Sequence, residues 1–198
     1  VYTGANFNVV GGFEYRSSAL QGNYLNSSDA LPSENAIPAD IEGGNSFIHR
    51  DLGLYLQSSY NFNTDLKAIF GIRLDNNKVR VNQGYGTVLN YRAGLVYSPN
   101  KFILKALFST AFKDASNFSK YATAAGRELN NPFLEPESVE NYELSIAYDD
   151  PDKKLNLSLV GYYASYSNII STVPATTADG RTTSQFQNIG EMDVTGIQ

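Results

Sequence analysis

LNYRAGLVYSPNKFILKALFSTAFK, residues 89–113, contains two runs of alternating apolar and polar residues on either side of the turn Ser98-Pro99-Asn100. Apolar side chains dominate the odd positions before the turn and the even positions after it. Because successive side chains of a β-strand point to opposite faces, this alternation indicates a sheet with two different environments. The stretch therefore predicts an antiparallel hairpin.

The same alternation recurs along the chain and predicts eight strands in all. They lie at 66–74, 89–98, 102–112, 142–148 and 155–159, and at about 5–16, 47–62 and 184–198. Most run to about 9 to 11 residues or more, which is enough to cross a bilayer when the strand is tilted. Strands of soluble proteins are usually shorter, at about five or six residues.

Short and long connections alternate between these strands. The tight turns are Asn63-Thr64-Asp65, Ser98-Pro99-Asn100 and Asp149-Asp150-Pro151-Asp152-Lys153. The longer connections are predicted at 17–46, 75–87, 114–137 and 174–183, with Asp75-Asn76-Asn77 starting an outer loop. Tight turns on one side and long loops on the other are typical of outer-membrane β-barrels.

Aromatic residues lie beside the tight turns, on the apolar face of their strands. They are Tyr60, Phe62, Tyr97, Phe102 and Tyr148. A ring of Tyr and Phe at one level is expected at a bilayer interface, whereas the core of a β-sandwich gives no reason for it. Tyr162, Tyr163 and Tyr166 are predicted to form an upper girdle and the root of a loop.

Arg50 interrupts the apolar face of its strand near the long-loop end, where its side chain can reach the lipid headgroups. A soluble or surface-anchored β-sandwich that binds carbohydrate remains an alternative, because it would share the alternating, aromatic-rich strands.

Composition excludes several classes of function. The 198 residues contain no Cys, which rules out disulfides and thiolate chemistry, and no stretch of about 20 apolar residues forms a membrane helix. Fifteen basic and 20 acidic residues give a net charge of -5, and no basic cluster indicates nucleic acid as a partner. The first residues lack the features of a signal peptide and the last lie within a predicted strand, so we expect a piece of a longer protein.

The segment NPFLEPESVENYEL, residues 131–144, resembles a motif of TonB-dependent outer-membrane receptors, in which Asn-Pro-x-Leu-x-Pro-Glu leads into a strand beginning near Asn-Tyr-Glu-Leu. The matching residues are Asn131, Pro132, Leu134, Pro136, Glu137, Asn141, Tyr142, Glu143 and Leu144. The two prolines fix φ and favour extended neighbours, so the motif is expected to be architectural rather than a ligand contact.

Further segments resemble the same family in order and spacing across about 66–198. They are GIRLD at 71–75, YRAGLVY at 91–97, FSTAF at 108–112, and QNIG at 187–190 followed by VTGI at 194–197, which include Asn188, Gly190 and Gly196. Lys113, Ala115 and Gln198 depart from the family's usual Arg, Pro and Glu. Residues 1–65 fit by pattern only.

The resemblance implies an all-β, antiparallel up-and-down transmembrane barrel of 22 strands, of which residues 1–198 would supply about eight. It also implies an outer-membrane location in contact with lipid, and uptake of a scarce nutrient such as a siderophore, cobalamin or oligosaccharide. Energy would come from the TonB complex through N-terminal segments. Those segments, the plug domain and the C-terminal closing strands are expected to lie outside this chain. A passive pore wall is a further alternative.

No catalytic, cofactor or metal site is predicted. His49 is the single histidine, and Asp149-Asp150-Pro151-Asp152 lacks the ligand spacing of an EF-hand, so we interpret it as a plain hairpin turn. No phosphate-binding glycine loop occurs, and enzymatic activity has no support in the sequence. Loops carry recognition in this architecture, which makes Tyr24, Phe118, Tyr121 and Arg127 the candidate ligand contacts.

Overall fold

The computed structural model describes residues 1–21, 46–79, 83–121, 128–129, 131–176 and 180–198. Within these ranges the chain forms one sheet with eight long strands. They are β2 (Phe7–Gln21), β3 (Ser46–Asn61), β4 (Leu66–Val79), β5 (Gln83–Tyr97), β6 (Phe102–Lys113), β8 (Glu137–Asp150), β9 (Leu155–Thr176) and β10 (Thr182–Ile197). Two-residue strands β1 (Tyr2–Thr3) and β7 (Glu128–Leu129) and a short helix α1 (Asn117–Tyr121) complete the described elements.

The long strands pair antiparallel with their neighbours in chain order, as predicted for an up-and-down barrel wall. Their lengths range from 12 residues in β6 to 22 in β9, which is sufficient for a tilted strand to cross a bilayer. The sheet does not close on itself within the described residues: β1 covers part of one edge, and β7 lies parallel to β10 at the other. No helix in the described residues is long and apolar enough to cross a membrane.

The two faces of the sheet differ as the alternation predicts. Large apolar side chains on one face remain exposed, including Phe70 at 49% and Leu144 at 68% of their full accessible area. Charged and polar side chains such as Arg73 and Asp51 share the other face. A β-sandwich would bury its apolar face against a second sheet, so the sandwich alternative is wrong.

Two belts of aromatic side chains cross the exposed apolar face, which continues beyond the upper belt to Leu52, Leu74 and Leu89. Near the turns the ring centroids of Tyr60 and Phe62 are 4.9 Å apart, and those of Phe102 and Tyr148 are 5.1 Å apart. The upper belt joins neighbouring strands through ring centroid distances of 4.8 to 6.1 Å, and it consists of Tyr91, Phe108, Tyr142 and Tyr163. Tyr163 lies in this upper belt, whereas Tyr162 and Tyr166 stand opposite Glu143 and Val139 on the other face of the sheet.

The tight turns form at or near their predicted positions, although Asp149 and Asp150 of the third predicted turn belong to β8. On the long-loop side the strands extend beyond their predicted ends. Asp75, Asn76 and Asn77 lie in β4 rather than in a loop, opposite Val88, Thr87 and Gly86. The local turn preference of these residues is outweighed by ladder pairing and by a 2.8 Å hydrogen bond from Asn76 Nδ2 to Thr87 Oγ1. Likewise, Pro174 lies inside β9, opposite Ser184.

Candidate functional site

A polar network covers the inner face of β2, β3 and β4 towards the loop end of the sheet. Arg16 Nε donates to Asp51 Oδ2 at 3.1 Å, and Asn77 Nδ2 donates to Asp51 Oδ1 at 2.6 Å. Arg73 lies 2.7 Å from Asp75 and 3.2 Å from Glu14. The network therefore crosses three strands and alternates positive with negative groups.

Register places these groups together, because Arg16 stands opposite Asp51 and Asp51 stands opposite Asn77. Gly53 leaves space for Arg73, since a Cβ atom built on Gly53 would lie 2.6 Å from the guanidinium of Arg73. The long side chain can thus lie flat against the wall.

Buried polar groups lie at the same end of the inner face, where Asp75 is 8% exposed. Asn77 is buried, and the described part of the chain supplies no hydrogen-bond partner to its Oδ1 atom. Towards the turns, an open recess of about 450 Å³ follows on the inner face, with Tyr55, Gln57, Asn90 and Arg92 in its lining.

The connection from β6 to β8 contains an internal ion pair and contacts β3. Lys120, in α1, is 1% exposed and lies 2.6 Å from Asp114 Oδ1. His49 Nε2 on β3 is 3.1 Å from Asn117 Oδ1 at the start of α1. The contact between His49 and Asn117 brings the connection against the inner face of β3.

The Asn131 motif fastens the same connection to β9 and β10. Asn131 Nδ2 donates to the carbonyl of Phe186 at 2.8 Å, and Leu134 is 3% exposed. Glu137 accepts a hydrogen bond from the Ile170 N–H at 2.9 Å and pairs with Lys113 at 3.0 Å. These contacts join the Asn131 motif to β6, β9 and β10.

Asn188 joins the motif to an irregularity in the β9 and β10 pairing. Its Oδ1 accepts from the Glu135 N–H at 2.9 Å, and its Nδ2 donates to the carbonyls of Glu135 at 2.9 Å and Asn168 at 2.8 Å. Asn168 has a φ of 57°, and the ladder shifts register on both sides of Gly190. A β-bulge at this position bends the strands and lets one amide hold three chain segments.

The other motif residues occupy ordinary wall positions. Tyr142 belongs to the upper belt and donates from its hydroxyl to Glu140 Oε2 at 3.1 Å, while Glu143 faces inward opposite Tyr162. Gly196 leaves room for the ring of Tyr162, because a Cβ atom built on Gly196 would overlap that ring. Pro132 is buried and Pro136 half-buried.

The four candidate ligand contacts are not brought together by described contacts. Tyr24 and Arg127 lie outside the described residues. Phe118 and Tyr121 belong to the backbone of α1, but their side chains also lie outside the description. These four residues stay predictions.

Two groups of residues are not predicted from the sequence. One is the inner network, for which the shared polar parity of Glu14, Asp51 and Arg73 is a signal. The other is the ion pair of Asp150, which is 1% exposed and lies 2.6 Å from Lys101 Nζ in a segment predicted to be a plain turn. Because Lys101 donates a hydrogen bond to it, the Asp150 carboxyl has a lowered pKa. Within the described ranges, no group of three or more His, Cys, Asp or Glu residues could hold a metal ion.

Comparisons with known proteins agree with this architecture. A family model described as TonB dependent receptor-like, beta-barrel, matches residues 1–198. No curated protein sequence matches the chain.

Several solved structures are similar in fold. The ferric enterobactin receptor PfeA of Pseudomonas aeruginosa, as a mutant in complex with enterobactin, has 19% identity and a TM-score of 0.76, with 100% of this chain and 31% of that chain covered. The siderophore receptor PirA of Acinetobacter baumannii has 16% identity and a TM-score of 0.74, with coverage of 99% and 32%. The FrpB iron transporter of Neisseria meningitidis has 15% identity and a TM-score of 0.66, with coverage of 99% and 30%. The chain thus spans about a third of the length of these proteins.

Proposed function

The chain belongs to the TonB-dependent receptor-like β-barrel family, and from this membership we propose that it forms part of the wall of an outer-membrane receptor that imports a scarce nutrient. The plug, the segment that contacts the TonB complex and the remaining strands of a 22-stranded barrel would lie outside this sequence. TonB would supply the energy for transport, and the chain itself would perform no enzymatic reaction.

The observation that carries this proposal is the difference between the two faces of one sheet. The apolar face is exposed and carries two aromatic belts, which suits contact with lipid. The inner face carries the hydrogen-bonded network of Glu14, Arg16, Asp51 and Arg73, which suits a water-filled or protein-filled lumen. A wall of this kind separates a membrane from a polar passage.

An iron–siderophore complex is the first substrate class to test. The solved receptors that share this fold are named for ferric enterobactin, siderophores or iron. These receptors are less than 20% identical to this chain, so they support the fold only. The proposed substrate class follows from the kind of receptor that shares this fold. Cobalamin and oligosaccharides are the competing substrates.

The decisive experiment measures uptake by the whole receptor. The intact gene is expressed in a Gram-negative host that lacks its own siderophore receptors, with and without TonB, and accumulation of ⁵⁵Fe-siderophores, labelled cobalamin and labelled oligosaccharides is compared. We expect iron accumulation that disappears in the strain without TonB. Equal accumulation in both strains would establish the passive pore instead, and uptake of cobalamin or oligosaccharide alone would correct the substrate.

A further inference from the structure

Two cations stand directly opposite each other on the lipid-facing side of the wall. Arg50 of β3 pairs with Lys78 of β4 in the ladder, and Ser17 of β2 stands on the other side of Arg50. Both cations are exposed. Arg50 shares its face with Leu52 and Leu54, so the pair continues the apolar surface rather than the polar inner face.

The height of the pair coincides with a membrane interface. Arg50 lies ten positions along β3 from Tyr60 of the lower belt. At about 3.3 Å per residue and a strand tilt of about 40°, this separation is about 25 Å along the membrane normal, which is the height of the apolar band of such barrels. The two cations therefore lie where headgroups begin on the loop side.

No acidic partner neutralises the pair within the described part of the chain. The ion pairs there involve other cations. Asp51, which follows Arg50, points to the inner face and is engaged by Arg16 and Asn77. Like charges directly opposite in a ladder destabilise a sheet, and an anion between them removes this repulsion.

We propose that Arg50 and Lys78 form a binding site for the phosphate group of a lipid in the leaflet on the loop side of the membrane. Arg offers a planar fork of donors to phosphate oxygens, and Lys adds a mobile ammonium charge. The acyl chains of the same lipid would lie along the apolar surface below Arg50. The site rests on the proposed membrane location, but it does not depend on which nutrient is imported.

The test uses the whole receptor in nanodiscs of zwitterionic lipid. Native mass spectrometry measures retention of lipid A and of its dephosphorylated form by the wild type and by the double variant Arg50→Gln, Lys78→Gln. The matched control is Lys153→Gln, Lys154→Gln, which removes the same charge from exposed positions at the turn end. Heat-dependent mobility in gel electrophoresis reports whether each barrel has folded, and Lys78→Arg, which retains the charge, is the conservative variant.

We expect the wild type, the control and Lys78→Arg to prefer the phosphorylated lipid, and the double variant to bind it about tenfold or more weakly, with little change for the dephosphorylated form. An unchanged preference in the double variant would overturn the site, and so would an equal loss in the control. Complete competition by millimolar inorganic phosphate would overturn the assignment to lipid. Because nutrient uptake is measured separately, failure of the lipid site leaves the proposed transport function intact.

Discussion

The turn end and the loop end of this wall are built by different kinds of contact. At the turn end, Asn63 Oδ1 accepts hydrogen bonds from the N–H groups of Asp65 at 2.9 Å and Leu66 at 2.8 Å, both within three residues. At the loop end, Asn131 reaches Phe186, 55 residues away, and Asn188 reaches Glu135, 53 residues away.

This difference determines how far a substitution at each end should act. A local contact involves one turn, so its loss should remain within that turn. A contact such as that of Asn188 joins β10 to the connection that precedes β8 and to β9, so its loss should loosen three segments together. Local opening measured by hydrogen exchange separates the two cases.

The largest effect is expected for Asn188→Ala. The variant removes three hydrogen bonds worth about 1 kcal/mol each, so exchange at the Glu135 amide should accelerate by about 100-fold. Hydrogen–deuterium exchange of residues 131–137 in the whole receptor measures it. The control Asn156→Ala changes an exposed amide of β9 and should leave this segment unaffected. Equal protection in Asn188→Ala and wild type would contradict the long-range role of this amide.

A smaller and more confined effect is expected for Asn63→Ala. Its two hydrogen bonds are exposed to water, so their loss should cost about 1 kcal/mol or less and accelerate exchange about fivefold at Asp65 and Leu66 alone. Thr64→Ala, which leaves both bonds in place, is the control. Faster exchange in residues 131–137 of this variant would show that the effect of a substitution at the turn end reaches the loop end.

Acid should weaken both ends through two carboxylates. A hydrogen bond from the Ile170 N–H lowers the pKa of Glu137, and Lys113 makes a smaller contribution in the same direction. A hydrogen bond from Lys101 lowers the pKa of Asp150, with a smaller contribution from Tyr148. A carboxyl with a lowered folded pKa stabilises the fold above its unfolded pKa and loses this contribution as pH falls through the folded value. Stability should therefore decrease below about pH 4.

The temperature at which the barrel loses its folded gel mobility, followed from pH 7 to pH 3, measures this effect. The variants Glu137→Gln and Asp150→Asn should each show a flatter dependence on pH, because one titrating group is absent. If both variants lose stability at low pH as much as the wild type does, other carboxylates cause the loss.

The smallest effect is expected for Lys113→Gln. The ammonium group is 81% exposed and pairs with Glu137 at 3.0 Å, so solvent screening limits its contribution to below about 1 kcal/mol. Glu137 also keeps the Ile170 N–H as its partner. We expect exchange at Ile170 to change by less than about threefold; a change as large as that of Asn188→Ala would mean that the ion pair, rather than the backbone hydrogen bond, secures this end.

Much of the fold is predictable because strand alternation and turn residues are patterns that extend over only a few residues. Alternation assigned Phe70 and Leu144 to the exposed face, and the Pro99 turn fixed one hairpin. The loop end is less predictable: Asp and Asn favour turns, so the sequence predicts a loop at residues 75–77, whereas pairing with β5 keeps these residues in a strand. Residue preference is local, and the ladder that outweighs it is not.

The candidate sites show the same division. Alternation alone places Arg50 on the apolar face, and the two prolines of the Asn131 motif predict an architectural role. The sequence does not predict that Arg50 stands opposite Lys78 in the ladder. It also does not predict that Asn188 hydrogen-bonds Glu135 of the Asn131 motif. The inner network of Glu14, Asp51 and Arg73 likewise required three strands to be aligned.

The amino-acid sequence by itself determined which side chains share a face, where the tight turns lie and which family the chain resembles, because strand alternation and turn chemistry act within a few residues. Only the tertiary structure decided the register between strands, the path of the connection from β6 to β8 and the opposition of Arg50 and Lys78. Register depends on ladder pairing between residues far apart in the chain, and a shift of one residue would move every side chain of a strand to the other face.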